Sequence, residues 1–308
     1  MVTLTGMAPT NTTSKNRLPP TISKASAPSF WLPLKWTGRW KVIYNASNPQ
    51  SPVSHLSWMM IMLPFVSPFD FGAVGDGQTL NTAALQAAID GCAARGGGTV
   101  YLPAGRYLTG SLFFRDHITL HLDAGAVLLG SQDPADYPII SNRWEGVEQP
   151  TYAPLLTGSG LENITITGRG TIDGQGDPWW RAKHMNTLAY PRPRLIGFTG
   201  CRGVMIEGVT LVNSPAWTVH PVRCENVNLH GITIINPPDS PNTDGINPDS
   251  CRLVRISDCY ISVGDDCIAI KSGTQNDHRL TACRDITITN CTLERGHGGV
   301  VIGSEMSG

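Results

Sequence analysis

The chain has 308 residues, 41% of them hydrophobic, enough to build a sizeable core in one large domain or two ordinary ones. Its formal net charge is −1 with 15% charged residues, so no global basic field draws it to nucleic acid or an anionic membrane, and attraction for an acidic substrate has to be local. No apolar run reaches the roughly 18 residues of a membrane span, and 33 glycines with 23 prolines, lacking a collagen period, imply tight turns between short strands.

Residues 1–66 are rich in Pro, Ser, Thr, Asn and Lys, carry four tryptophans and show no sustained periodicity, so an irregular or poorly ordered extension is expected there. Within it, Trp58–Val66 (WMMIMLPFV) is short and broken by Pro64; it reads either as a signal-like apolar region, were translation to begin near Met59 or Met60, though it lacks the basic flank and small-residue cleavage site, or as an irregular or buried strand. A single β-rich domain is expected over residues 67–308. It opens on the turn-rich Phe69–Gly77 (FDFGAVGDG), followed by a helix over Asn81–Arg95. Alanine content, apolar positions at Leu85, Ala88, Ile89 and Cys92, an Asn or Thr cap and the following Gly96 define that helix, which reads as a lid on one end of the domain. Thr99–Leu102 and Ile118–Leu122 are predicted strands. Trp179 and Trp180 follow Gly174–Gly176 (GQG), where no helix and no dinucleotide-binding unit is expected.

From residue 160 onward the sequence repeats itself. Asn163–Ile172, Val204–Leu211, Val227–Ile234, Val254–Ile261 and Ile286–Leu293 share an apolar-polar-apolar triplet, two turn-like positions and a second such triplet. The first positions of the last four lie 23, 27 and 32 residues apart. A period of this size with β-branched alternation and no intervening helix selects an all-β solenoid, the single-stranded parallel β-helix, with longer intervals as loops inserted on a face. Cys224, Cys251 and Cys283 fall at one repeat position and Cys259 and Cys291 at another, which reads as buried packing thiols rather than a disulfide framework.

Equivalent residues of successive coils stack about 4.8 Å apart. Aligning the second strands of three coils sets Asn242–Asn247 beside Gly264–Ala269 and Gly296–Val301, so that Asp244 falls beside Asp266 and His297 one coil on at the level of Asp265. Carboxylates so crowded cannot all ionise freely, and one is expected to stay protonated near neutral pH. That inequality suits glycoside hydrolysis by an acid and a base, with carboxyls about 6.5–9.5 Å apart when the enzyme inverts. Candidate substrate-binding residues are Asn242, which heads its motif; Lys271, within reach of an acidic group; His220, read as one coil before Asp244 and lining the cleft; and Trp179 and Trp180 as a sugar-stacking platform.

The motifs Asn242-Thr243-Asp244, Gly264-Asp265-Asp266 and Gly296-His297-Gly298, in this order and at these intervals, resemble the signature of glycoside hydrolase family 28, the polygalacturonases and their relatives. FDFGAVGDG with GGGTVYLPAG resembles the start of the β-helix in that family and in related pectin-acting proteins, so the resemblance runs from about residue 68 to residue 308. It implies the right-handed parallel β-helix of the pectin lyase-like type with a short N-terminal capping helix. It also implies inverting hydrolysis of α-1,4-linked galacturonan with no metal, cofactor or covalent intermediate. By that likeness Asp265 is the general acid, Asp244 and Asp266 jointly orient the attacking water, and His297 supports the acid's protonation. The partner is then an acidic polysaccharide or oligosaccharide, the protein a monomer, and a secreted or periplasmic location suits the substrate.

Family members carry an Arg-x-Lys motif downstream of the Gly-His-Gly turn, where two cations bind a substrate carboxylate; this sequence stops at Gly308. The C-terminal coils are therefore expected to be missing from it, with reduced stability and weak or absent activity at this length. Two rival readings stand beside hydrolysis: a Ca²⁺-dependent pectate lyase, and a catalytically impaired β-helical carbohydrate-binding module. Ser131–Tyr152, a long segment, is placed to close one end of the cleft and leans the reading toward exo action.

Overall fold

The computed structural model describes residues 65–308, so the extension expected over residues 1–66 lies outside the described residues except for Phe65–Val66. Those two residues form a short strand paired with Thr99–Val100.

Each repeat resolves into two strands joined by a sharp turn. Glu162–Gly168 is followed by Thr171–Asp173, Arg202–Glu207 by Thr210–Val212, Glu225–His230 by Thr233–Ile235, Arg252–Ser257 by Tyr260–Ser262, and Arg284–Thr289 by Thr292–Arg295. All first strands join one eight-stranded parallel sheet and all second strands another. Between them the chain takes a left-handed residue at equivalent points, namely Gly168, Gly208, Gly231, Asp258 and Asn290. Only Gly, Asn and Asp reach that conformation readily, so these residues place the corner of each coil.

A third parallel sheet holds Leu112–Phe113, Leu156–Ser159, Ile196–Thr199 and Val219–Val222. It continues through single bridges from Val219 to Ile246 and on to Ile268, and ends in the pair Ile268–Ile270 and Val300–Ile302. Strands of three parallel faces following one another along the chain make a parallel β-helix, with the right-handed crossover that parallel strands adopt.

Val204, Val227, Val254 and Ile286 stand in one register line, and Ile206, Leu229, Ile256 and Ile288 in the next. Period-2 alternation turns these side chains inward, where Val227, Leu229, Val254 and Ile256 are fully buried. Burial of each contributes roughly 1.5–3 kcal/mol before entropy is counted. Cys201, Cys224, Cys251 and Cys283 form a ladder: the Cys224 N–H donates to the Cys251 sulfur at 3.3 Å and the Cys251 N–H to the Cys283 sulfur at 3.2 Å. All eight cysteines are free thiols.

Helix α1 (Thr82–Ala93) lies over the first coils with Leu85, Ala88, Ile89 and Cys92 buried against them. Asn81 precedes it but does not cap it by its side chain. The amide instead ties the preceding turn together, accepting from the Val74 N–H at 2.6 Å and donating to the Thr79 carbonyl at 2.7 Å. A second helix, α2 (Asp177–His184), begins directly after the GQG turn, where the sequence reading expected none. Pro178 in its first turn and Asp177 at its positive end favour the start there.

One antiparallel pair occurs among the described strands, the hairpin of Ile139–Trp144 and Val147–Tyr152. It lies within the segment expected to close the cleft.

Candidate active site

The third sheet carries the acidic residues. Its bridges from Ile246 to Ile268 and from Ile268 to Val300 fix the register, so Asp244 stands beside Asp266, and Asp265 beside His297. Backbone bonds tie the three turns in that order: the Gly245 N–H donates to the Asp266 carbonyl at 2.9 Å, and the His297 N–H to the Asp265 carbonyl at 2.9 Å. The Thr243 hydroxyl accepts from the Gly264 N–H at 3.3 Å, linking the first motif to the second. Gly264 and Gly296 are required by space: a Cβ would come within 2.5 Å of the Ser240 carbonyl at the former and of the Asp265 carbonyl at the latter.

Asp244, Asp265 and Asp266 each offer an oxygen within 4.8 Å of the others. They converge because side chains of neighbouring strands start from backbones already in contact. Oxygens so gathered could also surround a cation. Asp244 is 3% exposed; one of its oxygens accepts from the Asn247 amide at 2.8 Å and the other has no partner among the described residues. Burial first, and then the charge of Asp265, push its pKa up to about 7, against the pull of Lys271 and of the Asn247 bond. Asp266 is raised by burial and by Asp265, with Lys271 and His297 opposing. His297 is exposed and places Nδ1 3.2 Å from Asp265.

The cleft around the triad, about 580 Å³, is also lined by Asn242, Lys271, Trp217, Thr274, Ser304, Glu305 and Glu145. Lys271, read from sequence as a cation for a uronate, is 4% exposed and ion-paired with Glu305 at 2.7 Å. Its ammonium sits 4.7 Å from the centre of the Trp217 ring. Asn242 is held by Arg192, whose guanidinium donates to its side-chain oxygen at 2.6 Å and to the Pro215 and Pro241 carbonyls.

Two expectations are corrected. Trp179 is no sugar platform: it is 2% exposed, its ring meeting Tyr137 and Tyr152 edge-on at 5.3 Å, because α2 turns it into the core. Its neighbour Trp180 donates to the Ser214 carbonyl at 3.0 Å and fastens the helix rather than lining the cleft. His220, 1% exposed, does not line the cleft either; the residue level with Asp244 one coil earlier is Trp217, by the bridge from Val219 to Ile246. Burial first, and then Arg194, lower the His220 pKa to about 3 against the pull of Asp249, so the ring is a neutral spacer beneath Trp217.

Sequence reasoning missed Arg143, Arg192, Trp217, Asn247 and Glu305. The alternation of Pro191-Arg192-Pro193-Arg194 was a usable signal, since prolines hold the segment extended and turn both arginines to one side, where both are buried. Nothing local marks Arg143, whose carboxylate partner Asp249 is 106 residues away.

Residues 116–308 match the family model described as Glycosyl hydrolases family 28. A "Probable polygalacturonase" of Vitis vinifera is 45% identical over 252 residues, covering 78% of this chain and 51% of that protein. An "Exopolygalacturonase" of Zea mays is 32% identical over 76% of this chain and 53% of its own length. The crystal structure of a hyperthermoactive exopolygalacturonase from Thermotoga maritima superposes with a TM-score of 0.72 at 34% identity, covering 79% of this chain and 63% of that one. The chain thus spans about half the length of the curated relatives it matches. The stacked acidic triad and the coils that carry it fall wholly inside the matched region, and the chain belongs to glycosyl hydrolases family 28.

Proposed function

We propose that the protein hydrolyses α-1,4-glycosidic bonds of polygalacturonate, acting from chain ends. One observation carries the reading: three carboxylates from two adjacent coils meet in one cleft, with Asp244 buried at its floor and Asp265 and Asp266 partly open. Glycoside hydrolysis needs a proton for the leaving oxygen and a base for water, and unequal carboxyls supply both. Asp265, less buried and with His297 at its oxygen, gives its proton to the leaving oxygen. Asp244 and Asp266 flank and orient the water, and Asp266 takes its proton as its oxygen bonds to the anomeric carbon and the bond to the leaving oxygen breaks. Asn242 and Lys271 face the sugar, Lys271 releasing Glu305 to meet a uronate carboxylate. Chain-end attack is supported by the exopolygalacturonase names of the maize and Thermotoga relatives.

The resemblance implies inversion, water attacking the face opposite the leaving oxygen. Proton NMR of the first product from polygalacturonate tests this: inversion gives the β-anomer first, and an α-anomer first would sink the mechanism. New reducing ends without ultraviolet absorbance, unaffected by a chelator, are expected. An unsaturated product abolished by chelation would replace hydrolysis by β-elimination, and binding without any cleavage would leave a carbohydrate-binding module.

A further inference from the structure

The hairpin of Ile139–Trp144 and Val147–Tyr152 turns through only Glu145 and Gly146, both left-handed, at φ +47° and +77°. Two consecutive positive φ values are the type I′ turn, which Asn, Asp and Gly occupy readily and Glu does not. Glu145 gains nothing local from this strained backbone, for its carboxylate has no hydrogen bond or ion pair among the described residues. It is exposed, and it faces the cleft that holds Asp244, Asp265 and Asp266.

The tip that carries it is fastened at four points. Arg143, wholly buried, reaches Asp249 at 2.5 Å and also pairs with Asp277, while Arg194 donates to its carbonyl. Trp144 stacks on Trp217, with ring centres 5.5 Å apart and planes 9° from parallel. Gly146 presses so closely on Thr274 and Glu305 that a Cβ would come within 2.5 Å of the threonine methyl. Glu148 pairs with Arg223 at 2.8 Å. So many anchors make the tip a fixed wall rather than a moving lid.

A galacturonan carries a carboxylate on every ring. An internal segment running past Glu145 would bring like charges together in a cleft already lined by four other carboxylates and one ammonium. A terminal ring instead presents a free hydroxyl where the next glycosidic oxygen would stand, and a carboxylate accepts a hydrogen bond from it. We propose that Glu145, on this clamped hairpin, is the residue that selects a chain end, turning away continuing polymer and accepting hydrogen bonds from the terminal ring's hydroxyls. The inference rests on the galacturonan reading above and names the group that enforces it.

The test uses the full-length protein with Glu145→Asn, which suits the I′ turn, and Glu145→Gln. Trigalacturonate is the probe, in turnover and, with Asp265→Asn added to each protein, in binding calorimetry. Each variant is expected to raise KM about tenfold with kcat within about twofold, and to weaken trigalacturonate binding in parallel. Product mass from polygalacturonate should shift from single units toward oligomers. An unchanged KM and binding constant in both variants would overturn the role of Glu145, as would a wild-type protein that releases only internal fragments. A wild type that cleaves neither substrate would sink the proposed activity, while the binding comparison would still read Glu145.

Discussion

The titration of Asp244 can be checked apart from catalysis. Its folded-state pKa, about 7, lies above the ordinary 3.8, so its contribution to stability is present below about pH 4 and is lost as pH rises through 7. Asp244→Asn keeps the shape and removes the charge. Urea denaturation should show the variant more stable than wild type at pH 8, by roughly 2–4 kcal/mol, and level with it at pH 4. Equal stabilities at both pH values would mean that the site pays no desolvation cost for the carboxylate. Asp265→Asn should lower kcat by about 10²–10⁴ with the melting temperature unchanged, since this residue is partly exposed and carries no core packing. A variant with full turnover would remove Asp265 from the acid role.

At the scale of elements, the hairpin and the cysteine ladder make contrasting cases. Arg143→Met leaves Asp249 and Asp277 buried beside an apolar chain. Removing one partner of a buried ion pair costs about 3–5 kcal/mol, and chemical denaturation should show a loss of that order. A change below about 1 kcal/mol would mean the clamp is not under load. The ladder predicts graded reactivity: Cys283 and Cys291, only partly buried, should react first with a thiol reagent, and Cys201, Cys224 and Cys251 only on unfolding. Fast labelling of Cys251 in the native protein would show that the coils around it open locally.

Across the whole molecule, each coil is stabilised chiefly by the coil above and the coil below, as in other solenoids. A cavity in a central coil therefore weakens two interfaces at once. Ile256→Ala, with both neighbours Leu229 and Ile288 in its register line, should cost about 2–5 kcal/mol, read from the urea midpoint. A loss below about 1 kcal/mol would argue against coil-by-coil stacking as the main source of stability.

The coils were legible because two local rules suffice to define them: alternation turns Val254 and Ile256 inward, and left-handed Gly, Asp and Asn place the corners. Register followed, since a one-residue slip would expose the whole apolar line, and with register came the pairing of Asp244 with Asp266 and of Asp265 with His297. The sequence by itself therefore determined the solenoid and which acidic residues share a level. It could not tell that α2 buries Trp179, that Trp217 rather than His220 stands level with Asp244, or that Lys271 is already paired with Glu305. Those outcomes, the hairpin clamp and the convergence of the three carboxyls were decided by the tertiary structure. Side-chain direction and desolvation depend on which distant residues fill the space alongside, and no local pattern encodes a contact such as that of Arg143 with Asp249.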